Sequence, residues 1–179
     1  MNFQYLIGLM PVSFEITSTF NCSIERAFQA PMLGDATRFM KGYLFQPSVT
    51  GFVNDATWGQ ENGVRYPVSA GNRLVKKGIM FTDKILERNE NKYWRWTIYD
   101  FKIGSMFFVN KAVGEWYVNE FDNNSVRVIY RYTYFSKSSL FYPITWLFVK
   151  IQIRGIMKRA IVGIQEQAES NEPFVYTTT

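Results

Sequence analysis

The feature that most constrains this chain is a long helical pattern near its C-terminus, from Ser138 to about Ser170. Apolar residues recur there in alternating steps of three and four, which places them on one face of an α-helix. This stripe consists of Trp146, Val149, Ile153, Ile156, Met157, Ala160 and Ile164. A helix with one apolar face must bury it against another layer. Because nearly everything before it reads as strand and turn, the sequence predicts a sheet packed on a single long helix.

The first part of the chain predicts one strand and two short helices. Residues 12–20 alternate between apolar and polar side chains, which is typical of a half-buried strand. Ser23 is in position to cap a short helix, which we expect to end near Pro31. A second short helical segment is predicted at residues 37–43.

The middle of the chain predicts antiparallel strands joined by turns. We expect strands at residues 51–55, 73–77, 79–88, 93–101, 107–118 and 126–135, with a turn-rich region at 55–73. The fold class is therefore α+β, a curved antiparallel sheet wrapped around a long C-terminal helix, with two short helices after the first strand. We expect a single domain over residues 1–179, with its core at about 12–169 and a loose tail at 171–179.

Two residue counts exclude several kinds of chemistry. The chain has no histidine and a single cysteine, Cys22. Serine–histidine and cysteine–histidine catalysis and an intrachain disulfide are therefore excluded, and the usual histidine-containing metal sites lose their main ligand. We expect no metal and no cofactor. Cys22 precedes a predicted helix start, so two interpretations stay open: an idle cysteine, or a reactive thiol with a lowered pKa.

The order of these elements resembles that of the START-like, or SRPBCC, superfamily, whose members have the helix-grip fold. Local sequence resembles its polyketide cyclase/dehydrase-type members. The resembling stretches are Gly71-Asn72-Arg73-Leu74-Val75, Gly78 with Asp83 five residues later, Gly114-Glu115-Trp116-Tyr117-Val118 and Val126-Arg127-Val128-Ile129-Tyr130-Arg131-Tyr132. The resemblance implies an apolar cavity between sheet and helix that holds a hydrophobic small molecule, a lipid or a polyketide-like ring system.

Candidate site residues come from the faces that would point toward such a cavity. Aromatic residues share faces on three predicted strands, and their hydroxyl and indole N–H groups could orient a ligand. We expect Arg73 and Asp83 to pair across adjacent strands, either as a structural ion pair or as catalytic candidates that move protons. The predicted ligand-binding residues are Trp58, Arg73, Asp83, Trp94, Trp96, Ile98, Gly114, Trp116, Tyr130, Tyr132, Tyr134, Trp146, Ile153 and Met157.

The predicted long helix carries two further patterns. Lys150, Arg154 and Lys158 recur every four residues and form a basic row. A second apolar strip beside this row consists of Leu140, Ile144, Leu147, Phe148 and Ile151. This strip is expected to face the short helices, a second copy in a homodimer, or a membrane surface. The net charge is +5, but no recognised motif accompanies it, so we expect no nucleic acid partner.

Three functional hypotheses remain. The leading one is a non-catalytic carrier or sensor that binds a hydrophobic small molecule or lipid between sheet and helix. The second is a cyclase- or dehydrase-type enzyme acting on a polyketide-like substrate. The third is a membrane- or protein-interaction module using the amphipathic C-terminal helix. The N-terminal FQYLIGLM is too short to span a bilayer and lacks the basic start of a signal peptide, so we expect a cytoplasmic protein.

Overall fold

A computed structural model describes residues 11–73, 75–170 and 172–176. The strands are β1 (Pro11–Phe20), β2 (Val49–Asn54), β3 (Val64–Ser69), β4 (Gly78–Ile79), β5 (Thr82–Asn89), β6 (Tyr93–Tyr99), β7 (Val109–Asp122) and β8 (Ser125–Ser136). The α-helices are α1 (Ile24–Leu33), α2 (Ala36–Phe39), α3 (Tyr142–Phe148) and α4 (Arg154–Glu169). Short 3₁₀ turns lie at Gly104–Met106 and Ser139–Phe141, and a π turn at Val149–Ile153 joins α3 to α4.

The strands form one antiparallel sheet in the order β1-β8-β7-β6-β5-β3-β2, and β4 pairs with β3 off this path. Register shifts occur in β2, β5 and β7, where one strand places an extra residue opposite its partner. Such bulges bend a strand and increase its twist. The sheet therefore curves around α3, the π turn and α4, which together form one helix over residues 142–169, called the closing helix below. This α+β arrangement confirms the predicted fold class.

Helix α1 is attached to the sheet by indole groups. It begins as expected, because the Ser23 hydroxyl accepts a hydrogen bond from the Arg26 amide at 3.3 Å. Pro31 lies inside the helix and has no N–H, so the Ala27 carbonyl lacks its usual helical partner. The buried Trp116 indole donates to that carbonyl at 3.1 Å. The Trp94 indole likewise donates to the Phe28 carbonyl at 2.7 Å.

The closing helix buries most of the predicted stripe, but Trp146 is an exception. Val149, Ile153, Met157, Ala160 and Ile164 are all buried, whereas Trp146 is 46% exposed and Thr145 takes the inward position. The π turn explains the difference, because its i to i+5 hydrogen bonds fit about one more residue into the turn than an α-helix holds. Residues on its N-terminal side are therefore rotated, and the extrapolated face shifts by one residue.

Two segments of the sheet differ from the sequence prediction. Strand β3 lies within the region predicted to be turns, because its glycine- and proline-rich surroundings hide the alternation of Arg65, Pro67 and Ser69 toward the interior. Conversely, the predicted strand at 73–77 is absent among its described residues. The backbone turns at Gly71, where φ is +77°, and the Asn72 side chain accepts from the Val75 amide at 2.8 Å.

Residues 172–176 also differ from the predicted loose tail, because α1 holds them. The Arg26 guanidinium donates to the carbonyls of Gln167 and Ser170 at the end of α4, and to that of Glu172 at 3.0 Å. The same guanidinium lies 4.3 Å from the centre of the Phe174 ring. Arg26 thus caps the last carbonyls of α4 and joins three segments. The remaining tail positions, 171 and 177–179, lie outside the described residues.

Candidate functional site

A narrow cavity of about 70 Å³ lies between the curved sheet and the closing helix. The sheet supplies its aromatic wall, and the helix supplies an aliphatic one. Its lining residues are Pro31, Met32, Phe39, Met40, Gln46, Arg65, Pro67, Phe81, Asp83, Trp96, Ile98, Phe101, Met106, Tyr130, Tyr132, Tyr134, Ile153, Ile156, Met157, Ala160 and Ile164. The cavity is therefore apolar except for a few polar groups, as small-molecule sites usually are.

Trp96 and three tyrosines of β8 form the aromatic wall. The Trp96 indole donates to the Tyr132 hydroxyl at 3.0 Å, and their rings meet edge to face with centres 5.5 Å apart. Gly114 is the cross-strand neighbour of Trp96, and a Cβ atom there would collide with the indole ring. The absence of a side chain at Gly114 therefore allows Trp96 to lie flat beside β7.

The tyrosine hydroxyls in this wall stay protonated. Burial is the first cause that raises the pKa of Tyr130, Tyr132 and Tyr134 above the ordinary value, because the interior disfavours the charged phenolate. The wall therefore presents neutral phenol groups, which can both donate and accept hydrogen bonds.

The polar end of the cavity is a buried ion pair between β3 and β5. Arg65 and Asp83 are direct cross-strand partners, and Arg65 Nε donates to Asp83 Oδ2 at 2.9 Å. The guanidinium lies over the rings of Trp58 and Phe52, at 4.0 and 4.8 Å from their centres. Burial raises the pKa of the Asp83 carboxyl, and the neighbouring Arg65 charge opposes this effect without cancelling it.

One atom on each partner of this pair has no hydrogen bond. Among the described residues, nothing pairs with the buried Arg65 Nη1 or with the buried Asp83 Oδ1. Buried polar atoms are nearly always hydrogen-bonded, since leaving one unpaired costs about 1–3 kcal/mol. Because both residues line the cavity, one unpartnered donor and one unpartnered acceptor lie within its polar wall.

Eight of the predicted ligand-binding residues line this cavity. They are Asp83, Trp96, Ile98, Tyr130, Tyr132, Tyr134, Ile153 and Met157. Gly114 stands behind Trp96 and does not line the space. Trp58 also lies outside the lining, although it contacts Arg65 and donates its indole N–H to the Met32 carbonyl at 2.9 Å.

The other predicted site residues lie elsewhere, and the expected Arg73–Asp83 pair is wrong. Arg73 is exposed on the loop after β3, since the segment that would have carried it into the sheet is not a strand. Trp94 and Trp116 are buried in the core beneath α1, where their indole N–H groups donate hydrogen bonds to carbonyls of that helix. Trp146 points to solvent because of the π turn.

The sequence interpretation missed Arg65, which takes the role expected of Arg73. The signal that could have identified it is the alternation in Val64–Ser69, which places Arg65, Pro67 and Ser69 on one face. Three of the four methionines of the wall were also not singled out, and only Met157 was predicted. The four are Met32, Met40, Met106 and Met157, and their flexible thioether side chains can adapt to differently shaped contents.

Other groups within the described part of the chain bear on its chemistry. No cluster of three or more acidic or cysteine side chains there could hold a metal ion. No helix there is both long and apolar enough to cross a membrane. Burial raises the pKa of the Cys22 thiol to about 11, helped by the nearby Glu169 carboxylate, so a thiol with a lowered pKa is the wrong interpretation.

Sequence comparisons give no relatives, whereas structural ones give many. No protein-family model matches the chain, and no curated protein sequence matches it significantly. Similar solved structures include Ara h 8.0201, at 18% identity and a TM-score of 0.66 over 90% of this chain and 100% of that one. They also include SA2116 from Staphylococcus aureus, a protein of unknown function. It is 16% identical to this chain and has a TM-score of 0.64 over 90% of this chain and 95% of its own.

A third similar structure is norcoclaurine synthase from Thalictrum flavum in complex with dopamine and hydroxybenzaldehyde. It is 10% identical to this chain. The alignment covers 97% of this chain and 95% of the synthase chain, with a TM-score of 0.65. Identities this low establish the fold alone. The chain therefore shares the helix-grip fold of these structures.

Proposed function

We propose that this protein binds an apolar small molecule carrying one polar group, in the cavity between sheet and closing helix, as a carrier or sensor. The observation that carries this proposal is the pair of unpartnered atoms, Arg65 Nη1 and Asp83 Oδ1, on two residues that line an otherwise apolar cavity. A bound group that both accepts and donates would complete their hydrogen bonding. Hydroxyl, protonated carboxyl and primary amide groups have this property.

The remaining contacts would come from the apolar walls and the phenols. Burial of apolar ligand surface contributes about 25 cal/mol per Å², so a medium-sized ligand needs no charged contact to reach micromolar affinity. Tyr130, Tyr132 and Tyr134 would select among ligands through their neutral hydroxyls. Ile153 and Met157 of the closing helix would pack on the ligand from the opposite side.

The cavity must widen to receive such a ligand. Its volume of about 70 Å³ is smaller than the 150 Å³ of an engineered apolar cavity that binds benzene, and drug-sized ligands need roughly 300 Å³ or more. The methionine side chains of the wall can change rotamer at little cost. We therefore expect ligand binding to select an opened form of the protein.

The structural neighbours support this use of the cavity. The norcoclaurine synthase structure holds dopamine and hydroxybenzaldehyde, and both are aromatic molecules with hydroxyl groups. A lipid or a polyketide-like ring system with one polar group also fits the proposed apolar ligand, and both are candidates for this chain.

A second candidate function is catalysis of the cyclase or dehydrase kind. The observation in its favour is that Asp83 has a free oxygen at the cavity and a raised carboxyl pKa, which is the usual state of a general base poised for proton transfer. A pH–rate profile on an accepted substrate, lost in Asp83→Asn, would distinguish an enzyme from a carrier.

Native mass spectrometry of the purified chain, followed by organic extraction, tests the binding proposal. We expect an extractable apolar compound with one hydroxyl, carboxyl or amide group. Ala160→Leu adds bulk inside the cavity, whereas Val162→Leu makes a similar change on the exposed side of the same helix. Ligand occupancy should fall at least tenfold in Ala160→Leu and stay unchanged in Val162→Leu. Equal occupancy in the two variants would contradict the proposal.

A further inference from the structure

An apolar face is exposed where the N-terminal half of the closing helix meets the loop before β2. Its members line one groove, and each is between 42% and 58% exposed: Leu44, Phe45, Ile144, Leu147 and Ile151. The second apolar strip predicted from the sequence therefore does not pack on the short helices. Phe108 and Phe148 form the floor of the groove, with ring centres 5.3 Å apart. Contiguous exposed apolar surface of this kind marks an interaction site.

The face continues beyond the groove. Phe107 is 56% exposed and packs edge to face on Phe108 and Phe141, with ring centres 5.4 and 5.7 Å away. Leu140, in the turn just before the closing helix, is 81% exposed.

A row of positively charged side chains lies on the same helix as this face. Lys150, Arg154 and Lys158 are exposed at steps of four on the closing helix. Residues 138–165, which include most of the closing helix, contain four Lys and Arg residues and no Asp or Glu. Within the described part of the chain, no acidic residue lines the groove. Clustered cations beside an amphipathic surface are attracted to anionic headgroups, each contributing about 1 kcal/mol near the membrane.

We propose that the apolar face docks on the surface of a bilayer that contains anionic lipids. The exposed apolar side chains enter the headgroup and acyl boundary, and the basic row contacts the headgroups. The interaction is peripheral and reversible, because a face of this size buries only a few side chains.

The charge pattern favours a bilayer over a second copy of the chain. A two-fold dimer through the apolar face would place the same patch of both copies together. The rows of Lys150, Arg154 and Lys158 would then approach each other, and no carboxylate among the described residues of the groove would compensate them. Like charges brought together in this way repel.

The proposed docking face adjoins the cavity wall. Met40 and Gln46 line the cavity, whereas Leu44 and Phe45, between them in sequence, lie on the docking face. Tyr43 connects this segment to the closing helix, since its carbonyl accepts from the Gln152 amide and its ring lies 4.5 Å from the Arg159 guanidinium. Docking would thus bring one wall of the cavity to the lipid, but the proposal does not depend on a ligand.

Vesicle co-sedimentation with the 179-residue chain tests the proposal. The probes are phosphatidylcholine vesicles with and without about one third phosphatidylserine, at low and high NaCl. We expect binding to the anionic vesicles at low salt, and a decrease of at least fivefold at high salt because the charges are screened. Absence of binding to anionic vesicles at low salt would overturn the proposal.

Two pairs of variants assign the binding to this face. Phe45→Ser/Leu147→Ser should weaken vesicle binding at least tenfold, whereas the exposed residues changed in Val53→Ser/Phe121→Ser lie outside the groove and should have no effect. Lys150→Glu/Arg154→Glu should abolish the preference for anionic vesicles, and the matched charge change Lys92→Glu/Arg95→Glu should keep it.

Two other results would contradict membrane docking. Equal weakening by the variants and their controls would show that the face is not involved. Self-association in analytical ultracentrifugation that is lost in Phe45→Ser/Leu147→Ser would assign the face to a second copy instead. Circular dichroism of each variant verifies that only the surface has changed.

Discussion

Arg65 Nε lies 2.9 Å from Asp83 Oδ2, and both side chains are almost completely removed from solvent. The pair joins two neighbouring strands at the polar end of the cavity. A buried ion pair rarely adds stability compared with well-packed apolar residues, because desolvation of the two charges offsets their attraction. Its retention beside unpartnered donor and acceptor atoms is therefore better explained by what the cavity binds.

Removal of one partner should destabilise the fold. Asp83→Leu leaves the Arg65 charge buried without its carboxylate, and Arg65→Met leaves the carboxylate alone. We expect each single variant to lower the free energy of unfolding by about 3–5 kcal/mol. The double variant Arg65→Met/Asp83→Leu should stay within about 1 kcal/mol of the parent, since neither charge is then left unpaired. Urea denaturation monitored by tryptophan fluorescence measures all three.

The double variant also separates stability from binding. If the role of the pair is to bind the ligand, Arg65→Met/Asp83→Leu should keep the fold but lose the bound compound. A double variant that is as unstable as the singles would show that the pair is required structurally. Asp100→Asn serves as the control, because it removes the carboxylate of an exposed pair with Lys102, and such pairs contribute little.

The pH dependence of stability should report the protonation of Asp83. Burial raises its carboxyl pKa above the ordinary 3.8 in the folded state, so the folded protein holds this proton more tightly than the unfolded chain. The free energy of unfolding should therefore fall as pH rises from 3.8 through the raised folded value. Asp83→Asn lacks this component. The free energy of unfolding of the parent minus that of Asp83→Asn should therefore decrease as pH rises across that window. Urea denaturation at several pH values measures both.

The opposite trend would be equally informative. If the attraction of Arg65 outweighed burial, the folded carboxyl would ionise below 3.8. The parent would then gain stability relative to Asp83→Asn as pH rises. Because all other titrating groups are common to both proteins, the sign of the difference distinguishes the two cases.

Sequence periodicity predicted the fold well because its main elements have clear patterns. The closing helix, β1, and the aromatic strands carrying Trp96 and Tyr132 all follow the period of their structure over many residues. The indole partners of α1 could not be foreseen, because they depend on which sheet position meets the Ala27 carbonyl. The exposure of Trp146 also escaped prediction, since a π turn has no simple sequence signal.

Part of the candidate site could also be predicted, because some of its residues lie on strands with a clear alternation. Residues of regular strands, such as Tyr130 and Tyr132, were placed on the correct face by alternation, whereas Asp83 was singled out by the family resemblance. Arg65 was missed because glycine and proline around β3 indicated turns, and a strand of six residues is too short to outweigh them. The partner of a charged residue is a matter of strand register, which local sequence does not determine.

Gly114→Ala should disturb the aromatic wall of the cavity. A Cβ atom at this position would collide with the Trp96 indole, which has no space to retreat because Tyr130 and Tyr132 pack on it. We expect a loss of about 1–3 kcal/mol in the free energy of unfolding. A shift in tryptophan fluorescence emission should accompany it, since the Trp96 to Tyr132 hydrogen bond must break.

Gly51→Ala is the matched control for this change. Gly51 also lies in a strand, but open space surrounds its Cα, and its backbone is not in the left-handed region. Its substitution should leave both stability and fluorescence nearly unchanged. Equal effects of the two variants would show that loss of glycine in a strand, not the contact with Trp96, is responsible.

The Cys22 thiol should react slowly while the protein is folded. Its pKa is raised from the ordinary 9.0 to about 11, chiefly by burial and then by the Glu169 carboxylate, while Arg26 opposes the shift. Two pKa units reduce the thiolate fraction near pH 8 by about 100-fold, and the thiolate is the reactive form. Reaction with a chromogenic disulfide should therefore be at least tenfold slower in the folded protein than in urea-unfolded chain, because the greater nucleophilicity of a less acidic thiolate offsets part of the hundredfold loss. Glu169→Gln should recover part of the rate, because it removes the negative charge without opening the site. A folded rate equal to the unfolded one would mean that neither burial nor Glu169 controls this thiol.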